Sequence, residues 1–230
     1  HVLTNRHVVA NAIDDMVMVT NANLRGARRG MVVARSDTPG YDFAVIKVML
    51  VEGDQVPALP LSPTVNRTDK VSAWGFPALV SEQDPAYLRL LRGDFNAVPE
   101  VVFTDGVVNA ILQTSPRNIV HSAVVSQGNS GGPLVNEKGD VIGINTFIRL
   151  DADSNRQTQT ALGSDAIMGF LREKGIPFHT DAVQAAGHMP INVGTMNIDM
   201  LSMSGHKFHA PKGVGVLYVK KNIPLFNLIE

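Results

Sequence analysis

The sequence predicts a mainly β domain followed by an α/β segment. Three observations lead there. Up to about residue 148, short β-prone runs alternate with turn residues, as in an all-β sandwich or barrel. Over residues 164–174 the apolar spacing becomes helical, with Ile167, Phe170 and Leu171 on one face. After Gly175 methionines concentrate, and two apolar runs flank a polar loop, which is α/β-type patterning.

Taken in order, the chain opens on His1-Val2-Leu3-Thr4, which reads as a strand. Further β-prone runs cover residues 16–20, 31–34, 43–48, 70–74 and 141–147. Gly139-Asp140 separates Leu134-Val135 from Val141-Ile142 and predicts a hairpin turn. Residues 81–100 are polar and irregular, and are expected to form a long surface loop. The helix over 164–174 has Ser164 or Asp165 to cap its start and Gly175 to end it. Beyond it, the apolar runs 198–203 and 214–219 flank the loop 204–213.

Composition narrows the functional classes. Hydrophobic residues make up 44% of 230, enough for a real core. The formal net charge is -1, which offers neither nucleic acid nor an anionic membrane a reason to bind. The basic cluster Arg25, Arg28 and Arg29 reads as a solvated loop. With no cysteine, disulfides, thiolate catalysis and cysteine-ligated zinc are excluded, and the compartment stays open. No apolar run reaches the roughly 18 residues of a spanning helix. Oligomeric state is not encoded in any of this.

The most informative segment is Gln127-Gly128-Asn129-Ser130-Gly131-Gly132-Pro133-Leu134. A serine hydroxyl needs an adjacent base to become a nucleophile. It also needs donors aimed at the oxyanion that forms on attack. Glycine at Gly128 lets the backbone turn its N–H and that of Ser130 toward one point. Two partners are available. His7 ends the β-prone Leu3-Thr4-Asn5-Arg6-His7-Val8-Val9, and Asp42 precedes the apolar Phe43-Ala44-Val45-Ile46. Either alone reads as structural; together the three occur in the order His, Asp, Ser.

That order and those motifs resemble the chymotrypsin class, and specifically bacterial trypsin-like proteases of the HtrA/Deg type. Trp74-Gly75-Phe76-Pro77 and Val141-Ile142-Gly143-Ile144-Asn145 also match. The resemblance covers residues 1–175. It implies a double β-barrel with the site in the cleft between barrels, its N-terminal strands absent from this sequence. It implies that Ser130 attacks a peptide carbonyl, His7 relays the proton, Asp42 orients the imidazole, and the Gly128 and Ser130 N–H groups form an oxyanion hole. The expected partner is a polypeptide substrate, and the chemistry requires no cofactor. Val124, six positions before Ser130, would sit near the base of the pocket for the residue before the cleaved bond, and argues against Lys or Arg there. His121 fits either that pocket or a buried structural position.

Residues 176–230 resemble a different family, the NifS-type cysteine desulfurases of class V aminotransferases. The carrying segments are Phe178-His179-Thr180-Asp181-Ala182-Val183-Gln184-Ala185-Ala186-Gly187 and Ser202-Met203-Ser204-Gly205-His206-Lys207-Phe208-His209-Ala210-Pro211-Lys212-Gly213-Val214-Gly215. The resemblance implies an α/β fragment of a pyridoxal phosphate (PLP) transferase fold. In it Lys207 is the Schiff-base amine, Asp181 the anion at the pyridinium nitrogen, Gln184 a contact to the ring oxygen, and Ser204 and His206 phosphate contacts. The parts that would supply a stacking histidine, a phosphate loop and a persulfide cysteine are not in the sequence, so the motif is expected not to hold PLP. His206 and His209 lack a third ligand for a metal. The segment Phe170-Leu171-Arg172-Glu173-Lys174-Gly175-Ile176-Pro177 suits both families, which points to a chimera joined at a shared helix. Three functions follow: a serine endopeptidase, a PLP-dependent desulfurase or transferase, and a catalytically inactive chimeric fragment.

Overall fold

In a computed structural model the chain forms two compact units, residues 1–167 and 168–230. Described are residues 1–24, 26–54, 56–151, 156–183, 185–187 and 190–225, without the side chains of 147–151, 156 and 157.

The first unit begins with strands β1 (Val2–Thr4), β2 (Met16–Val19), β3 (Arg28–Arg35) and β4 (Ala44–Val48). They form an antiparallel sheet in the order β1-β4-β3-β2. Val32, Ala44 and Ile46 bury one face against Val9. Arg28 does not lie in a solvated loop. It begins β3 and donates two hydrogen bonds of 2.8 Å to the Asp54 carboxylate, because a fork-shaped guanidinium matches two carboxylate oxygens.

The remaining strands of this unit are β5 (Lys70–Gly75), β6 (Val102–Leu112), β7 (Asn118–His121), β8 (Pro133–Asn136), β9 (Val141–Asp151) and β10 (Arg156–Gly163). They close into a barrel in the order β10-β7-β6-β5-β8-β9. Val71, Val108, Ile119, Leu134 and Ile142 fill its interior. Each such side chain removed from water stabilises the fold by about 1.5–3 kcal/mol. Trp74 and Phe103, paired across β5 and β6, stack with centroids 4.9 Å apart. The turn at Gly139 forms as its chemistry predicts, with Asn136 N–H donating to the Asp140 carbonyl at 3.0 Å.

Residues 81–100 are less irregular than their composition suggests. After α1 (Ala78–Ser81) comes α2 (Pro85–Leu91). Asp84 caps α2, its carboxylate accepting the Ala86 N–H at 2.7 Å and the Glu100 N–H at 2.8 Å. These bonds hold the Asp84 carboxyl below the usual range, the Glu100 bond contributing most.

Helix α3 (Ser164–Glu173) spans the division between the units. The Ser164 hydroxyl donates to the carbonyls of Ser62 and Val141. Gly175, at φ +64°, ends the helix, and Ile176 N–H returns to the Leu171 carbonyl at 2.8 Å. The second unit holds β11 (His179–Asp181), β12 (Met200–Ser204) and β13 (Gly215–Val219). β11 runs parallel to β12, and β13 antiparallel. Ala182, Ile198 and Leu201 make its small core.

Candidate active site

The site is built from three turns of the first unit. Strand β1 pairs with β4 in the register Leu3↔Val45 and Thr4↔Ala44. Chain leaving β1 therefore lies beside chain entering β4, which puts His7 next to Asp42. His7 starts a single tight turn, His7–Val9. Asp42 Oδ1 accepts the His7 backbone N–H at 3.0 Å, and Oδ2 lies 2.5 Å from His7 Nδ1. Asp42 is buried while His7 is exposed. A carboxylate at Nδ1 fixes ring orientation and favours the tautomer with Nε2 free to accept a proton.

Ser130 lies in the turn between β7 and β8. Ser126 N–H donates to Asn129 Oδ1 at 3.1 Å, and Asn129 N–H returns to the Ser126 carbonyl at 3.0 Å. Gly128 stands at φ +98°, and a Cβ there would lie 2.2 Å from the Phe76 carbonyl oxygen. No larger residue fits. Ala78 N–H ties the turn to the start of α1 by donating to the Gln127 carbonyl at 2.8 Å. Gly128 is exposed and Ser130 half-buried. Among the described residues, no backbone carbonyl takes either N–H.

On its far side the turn meets the His7 segment. A Cβ on Gly131 would lie 2.2 Å from Thr4 Oγ1 and 3.2 Å from the Asn5 amide nitrogen. His7 and Asp42 are thus in direct contact, and the Ser130 turn abuts the residues before His7. Among the described residues Ser130 Oγ makes no hydrogen bond to His7. Val124 is 61% exposed, and its carbonyl accepts the Thr104 hydroxyl at 2.6 Å.

His121 occupies the barrel interior rather than an open pocket, at 1% exposure. Neither ring nitrogen has a hydrogen-bond partner of good geometry. Burial pushes its pKa down to about 4, opposed in part by the nearby Ala123 backbone and Asn145 side chain.

Neither Asn5 nor Asn145, both fully buried beside the candidate site, stands out in the sequence as a site residue. Asn145 carries its main chain to the serine turn, its carbonyl accepting the Gly131 N–H at 3.0 Å. Asn5 lies between Thr4 and Arg6 and Asn145 between Ile144 and Thr146, so neither has a local sequence pattern that marks it for burial. Recognising either required knowing which distant backbone would lie opposite.

In the second unit, the parallel register Asp181↔Ser202 brings the C-terminal ends of β11 and β12 to one sheet edge. Asp181, Ser204, His206 and Lys207 sit at that edge, with Ser204 Oγ 2.8 Å from His206 Nδ1. Gln184 lies outside the described residues. Asp181 is exposed and accepts its own chain's Val183 N–H at 2.8 Å. His206 is exposed too, and among the described residues of this unit no buried side-chain polar atom lacks a partner. PLP catalysis needs the ring enclosed and its nitrogen partner shielded from water. With Asp181 and His206 both exposed, the described residues do not shield the ring and its nitrogen partner in this way.

A family profile described as "Trypsin-like peptidase domain" matches residues 1–144, and one described as "Aminotransferase class-V" matches residues 160–225. Among solved structures, the fold is similar to a serine endoprotease from Yersinia pestis, with TM-score 0.54, 25% identity, and coverage of 75% of this chain and 52% of that one. It is also similar to the HtrA-type protease AlgW with decapeptide, with TM-score 0.53, 27% identity, and coverage of 73% and 46%. A cysteine desulfurase IscS from Clostridium botulinum is 64% identical over 59 residues, which is 26% of this chain. The chain spans only 15% of that desulfurase's length, and about half of either protease structure.

Proposed function

The chain belongs to the trypsin-like peptidase domain family, and on that premise we propose that it is a serine endopeptidase acting through Ser130, His7 and Asp42. The observation that carries the reading is the His7–Asp42 pair, bonded through both carboxylate oxygens, with the glycine-shaped turn that presents Ser130 abutting Thr4 and Asn5 just before His7.

The proposed reaction has two halves. Ser130 Oγ attacks the scissile carbonyl carbon while His7 Nε2 takes the hydroxyl proton. The carbonyl oxygen, now negative, is held by the Gly128 and Ser130 N–H groups. His7 returns the proton to the departing amine as the C–N bond breaks, leaving an ester on Ser130. A water molecule then repeats the sequence, with His7 again as base, and releases the acid. Asp42 orients the ring and stabilises the imidazolium. The substrate is a polypeptide. Apolar Val124, beside the turn, offers no anion to a basic side chain before the cleaved bond.

The test is covalent labelling with a fluorophosphonate. Ser130 is expected to carry the label and Ser130→Ala to carry none. Peptidase turnover should fall by a factor on the order of a thousand or more in that variant. Equal peptidase activity in both proteins would refute the assignment.

A further inference from the structure

Asn5 stands two residues before His7 and has no exposed surface. Its Nδ2 donates to two acceptors on opposite sides of the site. One is the Asp42 backbone carbonyl at 2.8 Å; the other is Thr146 Oγ1 at 3.0 Å. Thr146 belongs to β9 of the barrel and turns its own hydroxyl proton to the Ile144 carbonyl at 2.9 Å. Its oxygen therefore faces Asn5 as an acceptor. The preceding residue, Asn145, accepts the Gly131 N–H.

One side-chain amide thus joins the strand pair carrying His7 and Asp42 to the strand that anchors the Ser130 turn. Apolar packing does not explain an amide here, because a leucine of similar volume fills space without burying polar atoms. Asn5 Oδ1 is itself buried with no partner, a penalty that a merely space-filling side chain would avoid. Both donors are used, and each reaches a different half of the site.

Building on the serine endopeptidase reading, we propose that Asn5 is a positioning residue that sets the register of the His7–Asp42 pair against the Ser130 turn, acting through Thr146. It does not touch substrate. A shift of about 1 Å between reacting groups costs on the order of a hundredfold in rate, so a single buried tether has leverage over turnover.

The experiment compares Asn5→Leu, Thr146→Val, their double variant and Thr146→Ser in the full chain. Three quantities are read: the fluorophosphonate labelling rate of Ser130, kcat and KM on a peptide substrate, and Tm. Asn5→Leu is expected to slow labelling and kcat about tenfold or more while KM moves less than about twofold. Thr146→Val should slow both by a smaller factor, and Thr146→Ser should restore wild-type rates because it keeps the acceptor. The double variant should match Asn5→Leu, since a shared interaction is lost only once. If Asn5→Leu does not fold, Thr146→Val against Thr146→Ser decides the matter. Wild-type rates in Thr146→Val, or fully additive losses in the double variant, overturn the role of Asn5. Failure of the wild-type chain to label at Ser130 overturns the serine reading, and this inference with it.

Discussion

Asn145 grips the Gly132 carbonyl from two directions, its main-chain N–H at 2.9 Å and its side-chain Nδ2 at 3.2 Å. The same Nδ2 reaches the Pro133 carbonyl at 3.2 Å. The chain leaving Ser130 is therefore fastened to β9 before β8 begins. Losing the side-chain bonds takes the Nδ2 donor from two half-buried carbonyls, while the main-chain bond to Gly132 remains. Asn145→Leu is expected to lower unfolding stability by about 1–3 kcal/mol in urea titration, and to slow fluorophosphonate labelling. A variant with unchanged midpoint and unchanged labelling would contradict this role.

Gly128 offers a sharper test of the turn. A methyl group there meets the Phe76 carbonyl at 2.2 Å and must also hold φ near +98°. Gly128→Ala should therefore displace the turn locally rather than unfold the barrel. The expected outcome is a Tm lower by a few degrees, about 1–2 kcal/mol of strain, with Ser130 labelling slowed at least tenfold. Labelling at the wild-type rate would mean that the Gly128 conformation does not matter to the nucleophile.

His121 predicts a pH dependence whose sign is fixed. Burial lowers its pKa from 6.5 to about 4 in the folded chain. Between those values the unfolded chain binds a proton that the folded chain refuses. Stability is thus complete above about pH 6.5 and declines as pH falls toward 4, by about 3 kcal/mol from this group. His121→Leu cannot take up that proton. Chemical denaturation at pH 7 and pH 4.5 should show a smaller acid-induced loss in the variant. Equal losses in both proteins would place the acid sensitivity elsewhere.

Lys207 should not behave as a PLP lysine. Asp181 and His206, from the same motifs, are exposed. After incubation with stoichiometric PLP, dialysis and borohydride reduction, peptide mapping is expected to show scattered modification of Lys207, Lys212, Lys220 and Lys221. Selective, near-complete capture at Lys207 would reverse this conclusion.

The sequence revealed the fold class and the site to different depths. His7, Asp42 and Ser130 were legible as candidates because each sits in a local motif with its own chemistry, a glycine-lined turn or an acid leading into an apolar strand. Most strands were legible from apolar runs. β6 was not: Asp105, Gly106 and Asn109 interrupt its apolar pattern. In the barrel, Gly106 passes so close to Ala123 that a Cβ would lie 2.1 Å from the Ala123 nitrogen, an adjacency invisible along the chain. α2 was missed although Asp84-Pro85 is a capping signal followed by a residue suited to the first helical turn. The polarity of residues 81–100 as a whole outweighed that local cue. Asn5 lay beyond reach for a deeper reason. Its partner Thr146 is separated by 141 positions, and only barrel closure brings them together.

The strand that delivers His7 is short. Among the described residues β1 pairs only with β4, over Val2, Leu3 and Thr4. Ser130, by contrast, hangs from a ring of strands with no free edge. Amide hydrogens in β5 and β8, each flanked by a strand on both sides, should be among the slowest to exchange with deuterium, so that the turn carrying Ser130 keeps its shape through any opening that leaves the ring intact.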